Sequence, residues 1–307
     1  AGNSIASGGN YNVVVGDEAG TALTTGDGNT AIGFEALVTE DAHGNNTAVG
    51  YRSLKTLNAG ADGFNTAVGY QSGTSMTTGI ENTLIGSLAG DALTNSDFNV
   101  AVGVNALSTD TLGSRTVAIG RETLFAQNFT TATDTYNVAV GYRAGAAVTT
   151  GLKNTLIGGL AGDSLTTNGL NVAVGYGSLS TEDTGSRNVA IGVSALSSQN
   201  ADTTNYNVAV GYNAGSAVTT GIQNTLIGGL AGDALTDADG NVAVGRAALT
   251  TDTLGSQTVA IGSRALNSQN FTTATDSYNT AVGADAGLSV TTGVENTLIG
   301  GLAGDAI

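Results

Sequence analysis

The sequence repeats itself from end to end, and this constrains the fold more than any other property of the chain. The recurring word is Asn, then Thr or Val, then Ala or Leu, then Val or Ile, then Gly. Its closing glycines are Gly16, Gly33, Gly50, Gly69, Gly86, Gly103, Gly120, Gly141, Gly158, Gly175, Gly192, Gly211, Gly228, Gly245, Gly262, Gly283 and Gly300. The spacing between successive members is seventeen, lengthening to nineteen after Gly50 and Gly192 and to twenty-one after Gly120 and Gly262, which makes 17 turns of one motif. Three four-turn blocks, 65–136, 137–206 and 207–278, are closely similar along their length. Residues 12–64 read as the same block without its second turn, and the last block breaks off at Ile307 where its sisters continue with Leu-Thr. Solenoid ends normally carry atypical capping repeats, and neither end here has that character. Residues 1–307 are therefore expected to be a single solenoid repeat region, a segment of a longer fibre protein.

A 17-residue unit is too short for a helix-pair repeat of about 33 to 47 residues. Each unit instead holds a short Val/Ile/Thr-rich run punctuated by Gly, Asn, Thr and Asp, which is strand chemistry. The expected fold is all-β, a parallel β-solenoid or β-roll of about 17 coils of 17–21 residues. At an interstrand spacing of about 4.8 Å, such a stack extends for roughly 80 Å. The 47 glycines of the 307-residue chain then find a use, since several corners in so short a unit call for φ > 0 or close backbone approach. Glycine as flexible filler is disfavoured because 40% of residues are apolar, and collagen is excluded because there is no Pro. The missing Pro suits an uninterrupted backbone ladder.

An Asn stands four residues before the motif glycine in 15 of 17 coils: Asn12, Asn29, Asn46, Asn65, Asn82, Asn99, Asn137, Asn154, Asn171, Asn188, Asn207, Asn224, Asn241, Asn279 and Asn296. Thr116 and Thr258 take its place in the other two. Amides stacked coil on coil are expected to form a hydrogen-bonded structural ladder, with Asn also tolerating a left-handed corner. Both faces of strands such as Val138-Ala139-Val140 and Thr155-Leu156-Ile157 are apolar. One face belongs to the coil interior, and the other needs a partner, most simply another copy of the chain.

The words NTAVGYRSL (46–54), NTAVGYQSG (65–73), NVAVGYRAG (137–145) and NVAIGVSAL (188–196) resemble the head repeats of YadA-like trimeric autotransporter adhesins. More closely, they resemble the repeat arrays of long phage tail fibres. The resemblance covers nearly the whole chain. It implies a left-handed parallel β-roll, a homotrimeric fibre and a role in host or surface attachment. The coil is longer than the usual adhesin head repeat, and the anchor, stalk and chaperone domains of those families are not in this sequence.

Little is left over for chemistry. A net charge of −16, from 9 Lys+Arg against 25 Asp+Glu, disfavours nucleic acid and anionic membrane surfaces. No apolar run approaches the roughly 18 residues of a membrane span, so no membrane insertion is expected. The absence of Cys excludes disulfides, thiolate metal sites and a Cys nucleophile. His43, the one histidine, reads as a solvated loop residue without the Ser and acid that a catalytic triad requires. Two acidic series recur: Asp91, Asp163, Asp233 and Asp305, and Glu40, Asp110, Glu182 and Asp252 on what reads as the outer arc. Pairs such as Asp163 with Glu182 fall on adjacent coils at roughly 7 to 10 Å, the separation of an inverting glycosidase. Recurrence in three blocks without an aromatic cleft favours a solvated acidic face instead.

Repeat-toxin calcium motifs are absent, and the Thr pairs recur only every fourth coil. Tyr51, Tyr70, Tyr142, Tyr176 and Tyr212 follow the motif glycine, while Tyr136, Tyr206 and Tyr278 precede the motif Asn; packing at corners or between chains is expected of them. The loops at 126–135, 200–205, 267–277 and 57–63 are expected to project as polar inserts and to be the best candidates for variable contact, although such loops also tolerate insertion without any function.

The expectation is thus a non-enzymatic, cofactor-free shaft of an extracellular fibre, on a virion tail or a cell surface. It associates with itself and reaches a host glycan or protein through other domains. A bacterial filament or autotransporter adhesin, and a polysaccharide-degrading tail spike, are the alternatives.

Overall fold

In a computed structural model describing residues 1–306, the chain forms a parallel β-solenoid of 17 turns, with no helix among the described residues. Contacts group it into two units, Ala1–Lys153 and Asn154–Ile307. The first holds eight motif strands, from Val13–Val15 to Val138–Val140, and the second holds nine, from Thr155–Ile157 to Thr297–Ile299.

Each motif strand is three residues long and, within its unit, pairs in parallel with the equivalent strand of the next turn. In the first unit Val13 lies beside Thr30 and Val15 beside Ile32; in the second Val172 lies beside Val189 and Val174 beside Ile191. The register survives the longer turns. Val117 still faces Val138 across the longest kind of turn, and Val189 faces Val208 across the intermediate kind, so the extra residues are absorbed outside the strand.

Alternation along the strand puts only the central residue inside. Ala31, Ala101 and Ala139 in the first unit, and Leu156, Ala190 and Leu226 in the second, are fully buried. The large centres set a four-turn cycle of core volume. Leu84 and Leu156 fill space that other turns leave to the residue four after the motif glycine, and that residue is then Gly. A Cβ on Gly90 would lie 2.8 Å from methyls of both Leu84 and Leu93. In most turns with Ala at the strand centre a Leu such as Leu37, Leu54, Leu107, Leu179 or Leu249 occupies the same position, fully buried, while the Ala-centred turns that precede a Leu-centred one have Gly there, as at Gly73 and Gly145. Facing large and small residues keep each layer filled.

The corners differ from expectation. In each turn three positions adopt left-handed φ near +50 to +60°: the residue before the motif Asn, and the second and fourth after the motif glycine. Most are not glycine; Tyr136, Arg143, Leu179 and Leu196 are examples. The ladder asparagines are not among them, so the tolerance of Asn for left-handed φ is unused there. The motif glycine itself is different in kind. Gly175 has φ +134°, a region essentially closed to other residues, and a Cβ on it would lie 2.5 Å from the carbonyl oxygen of Gly192 in the next turn.

Candidate functional site

The interior of each unit carries two polar columns. The first is the Asn ladder. Asn29 donates its backbone N–H to Oδ1 of Asn12 at 2.8 Å, Asn82 to Asn65 at 3.0 Å and Asn99 to Asn82 at 2.9 Å. In the second unit Asn171 does the same to Asn154 at 3.1 Å, Asn224 to Asn207 at 2.8 Å and Asn241 to Asn224 at 3.0 Å. The side-chain amides of Asn46, Asn65, Asn188 and Asn296 add direct Asn–Asn bonds of 3.0–3.4 Å. Most ladder Nδ2 atoms also reach the far end of their own turn: Asn137 donates to Gly151 O at 2.7 Å and Asn279 to Gly293 O at 2.6 Å. The ladder therefore ties turn to turn through Oδ1 and closes turns on themselves through Nδ2.

The two turns without Asn are repaired by a neighbour. Thr116 Oγ1 lies 2.7 Å from Thr135 Oγ1, which accepts the Asn137 N–H at 3.2 Å. Thr258 and Ser277 repeat this at 2.6 Å, with Ser277 Oγ accepting the Asn279 N–H at 3.3 Å.

The second column overturns an expectation. Glu40, Asp110, Glu182 and Asp252 do not form a solvated outer face: all four are fully buried. They stand seven residues after the motif glycine, a place filled in most other turns by Leu, Met or Val. Asp110 Oδ1 accepts the amides of Gly113 at 3.1 Å and Phe129 at 3.0 Å, while Oδ2 accepts Gln127 Nε2 at 2.6 Å. Asp252 has the same shell from Gly255, Phe271 and Gln269. Glu182 accepts the Gly185 amide at 2.7 Å, Gln199 Nε2 at 3.0 Å and Asn205 Nδ2 at 2.8 Å. Each Gln passes the connection on, because its Oε1 accepts from a ladder residue, Asn137, Asn207 or Asn279, at 2.8–3.0 Å. Burial pushes the Glu182 and Glu40 carboxyls above the usual range. A paired buried carboxylate of this sort makes structure and offers substrate no access.

The other acidic series is only partly buried. Asp91 is pushed up to about 6 by desolvation, and Asp233 accepts a very short hydrogen bond from the Thr250 hydroxyl. Members of the two series that sequence spacing paired as glycosidase acids thus sit in unlike surroundings, one half-buried at the surface and one inside the turn.

His43 also departs from expectation. Its Nδ1 is buried, 3.5 Å from Glu40 Oε1 and 4.0 Å from Asp41 Oδ1. These are the donors among the described residues grouped closely enough to hold a metal ion.

On the surface, the two longest of the expected projecting inserts fold back, whereas Asn58, Gly60, Ala61 and Asp62 of the loop at 57–63 are exposed as expected. Phe129 and Phe271 are 6% exposed, and Thr133–Asp134 and Thr275–Asp276 pair in parallel with Gly113–Ser114 and Gly255–Ser256. Thr130, Thr131, Ala132 and Asp134 are the exposed residues of the first insert. Phe34, Tyr51 and Tyr70 stack with centroids 5.4 and 5.2 Å apart, and the Arg52 guanidinium covers the first two rings. Their faces are spent on each other. Tyr136, Tyr206 and Tyr278 stand exposed at left-handed corners.

The outward strand residues form an apolar stripe along each unit. Ile85 and Ile119 in the first, and Ile157, Ile191, Ile227 and Ile261 in the second, are 37–39% exposed, in register with Val in neighbouring turns. No family model and no curated protein matches the chain.

Proposed function

We propose that this chain is a structural shaft, a non-enzymatic spacer in an extracellular fibre that serves attachment, on a phage tail or a cell surface. The observation that carries the reading is the apolar stripe: the first and third residues of every motif strand point outward and are Val, Ile or Thr, turn after turn, in each unit. Contiguous exposed apolar surface marks an interface, and a uniform stripe fits a partner with the same repeat, a second and third copy of the chain. The homotrimer and the left-handed winding come from the resemblance to tail-fibre and trimeric-adhesin repeats.

The interior supports the same reading. Hydrogen bonds between consecutive turns run through backbone, Asn ladder and acid–Gln pairs, and this suits load bearing better than turnover. The host receptor, whether glycan or protein, is engaged by other domains in this account. Immunogold labelling of virions and cells from the source sample tests it. Label along filaments is the expected result; label confined to the cell interior contradicts it.

A further inference from the structure

Glu40 is the one member of the buried acid series whose shell is incomplete. Asp110, Glu182 and Asp252 are followed three residues later by Gly113, Gly185 and Gly255 and faced one turn on by Gln127, Gln199 and Gln269. At Glu40 those places hold His43 and Leu57. The glutamine amide is gone and an imidazole has been added.

The consequence is visible atom by atom. Glu40 Oε2 accepts the Ala59 amide at 3.2 Å, but Oε1 is buried without a well-formed hydrogen bond on a side chain that is 0% exposed. The His43 backbone amide lies near the carboxyl and only partly offsets its burial. Oε1 points at His43 Nδ1, itself buried without a hydrogen-bond partner. Asp41 Oδ1, which accepts the Ala42 amide, completes a group of three donor atoms lying within 4.8 Å of one another. His43 and Asp41 are 30% and 49% exposed, so one side of the group opens to solvent.

We propose that Glu40, Asp41 and His43 bind one divalent transition-metal ion, with Zn²⁺ the best match. One imidazole nitrogen and two carboxylate oxygens, with a side open to water, suit Zn²⁺, whereas Ca²⁺ and Mg²⁺ take oxygen-rich shells. A cation also satisfies the oxygen that the sister turns satisfy with glutamine, and it offsets the burial that pushes the Glu40 carboxyl up. The site is independent of the fibre reading.

Chelator-treated protein titrated with ZnCl₂ in a calorimeter tests it, with Co²⁺ absorption as a second readout. The expected result is one saturable equivalent per chain, with affinity at least about tenfold lower in His43→Gly and Glu40→Gln, and visible Co²⁺ bands that disappear in His43→Gly. His43→Gly carries the residue that the sister turns already hold, so its fold is expected to persist and circular dichroism verifies it. Absence of saturable binding overturns the proposal. So does Zn²⁺ binding unchanged in both variants, which would assign the ion to surface carboxylates and the cluster to a simple ion pair.

Discussion

Gln127 and Asp110, one turn apart, are joined by a 2.6 Å hydrogen bond wholly inside the solenoid, and Gln127 Oε1 simultaneously accepts from Asn137. The acid column and the Asn ladder are therefore one network. Asp110→Asn replaces an oxygen that accepts Gln127 with an amide that donates toward it, and leaves buried polar atoms unmatched. The expected cost is about 1–3 kcal/mol, read as a lower denaturant midpoint with unchanged circular dichroism. A neutral effect would mean that the acid is not held by this shell.

The two kinds of positive-φ glycine predict different penalties. Gly175→Ala meets both a forbidden backbone region and the Gly192 carbonyl, and is expected to destabilise by roughly 2–4 kcal/mol. Gly177 has φ +60° and open space where a Cβ would go, at a position where other turns carry Leu or Arg. Gly177→Ala should cost only about 1–2 kcal/mol, the left-handed backbone penalty alone. Equal losses in thermal melts of the two variants would remove the distinction.

Asp91 makes stability depend on pH in an unusual direction. Its carboxyl is raised from 3.8 to about 6, so the folded state holds the proton more tightly than the unfolded chain. Its ionisation costs stability above pH 6, and the cost is relieved as pH falls from about 6 toward 4. Asp91→Asn is expected to stabilise the fold at pH 7.5 by on the order of 1 kcal/mol or less given its partial exposure, read as a higher Tm, and to gain nothing at pH 4. The melting temperatures of both proteins at the two pH values check the sign.

Periodicity made the solenoid legible because a spacing fixed at seventeen over most of the chain leaves few architectures, and the ladder asparagines stood out for the same reason. What the sequence hid was direction. Asp110 and Glu182 look like surface residues, since carboxylates are rarely buried. The signal that places them inside is indirect: they fill the register position that Leu93 and Leu165 occupy in other turns, and a Gln recurs one turn later at Gln127 and Gln199. Phe129 and Phe271 in the polar inserts carried a similar hint, an aromatic where a projecting loop needs none. His43 reads as inert because nothing in the sequence brings an acid to it; the turn that places Glu40 beside its Nδ1 supplies that contact. The left-handed corners at Leu179 or Tyr136 have no residue signature, for the chain geometry imposes them against local preference.

The central claim is that the outward Val/Ile stripe is covered by further copies of this chain. Sedimentation equilibrium at micromolar concentration tests it most directly. The account predicts a particle of three times the 30.1 kDa chain mass, broken down by Ile157→Asp with Ile191→Asp, which place charge on half-exposed stripe positions. A single species of 30.1 kDa across the concentration range would contradict it.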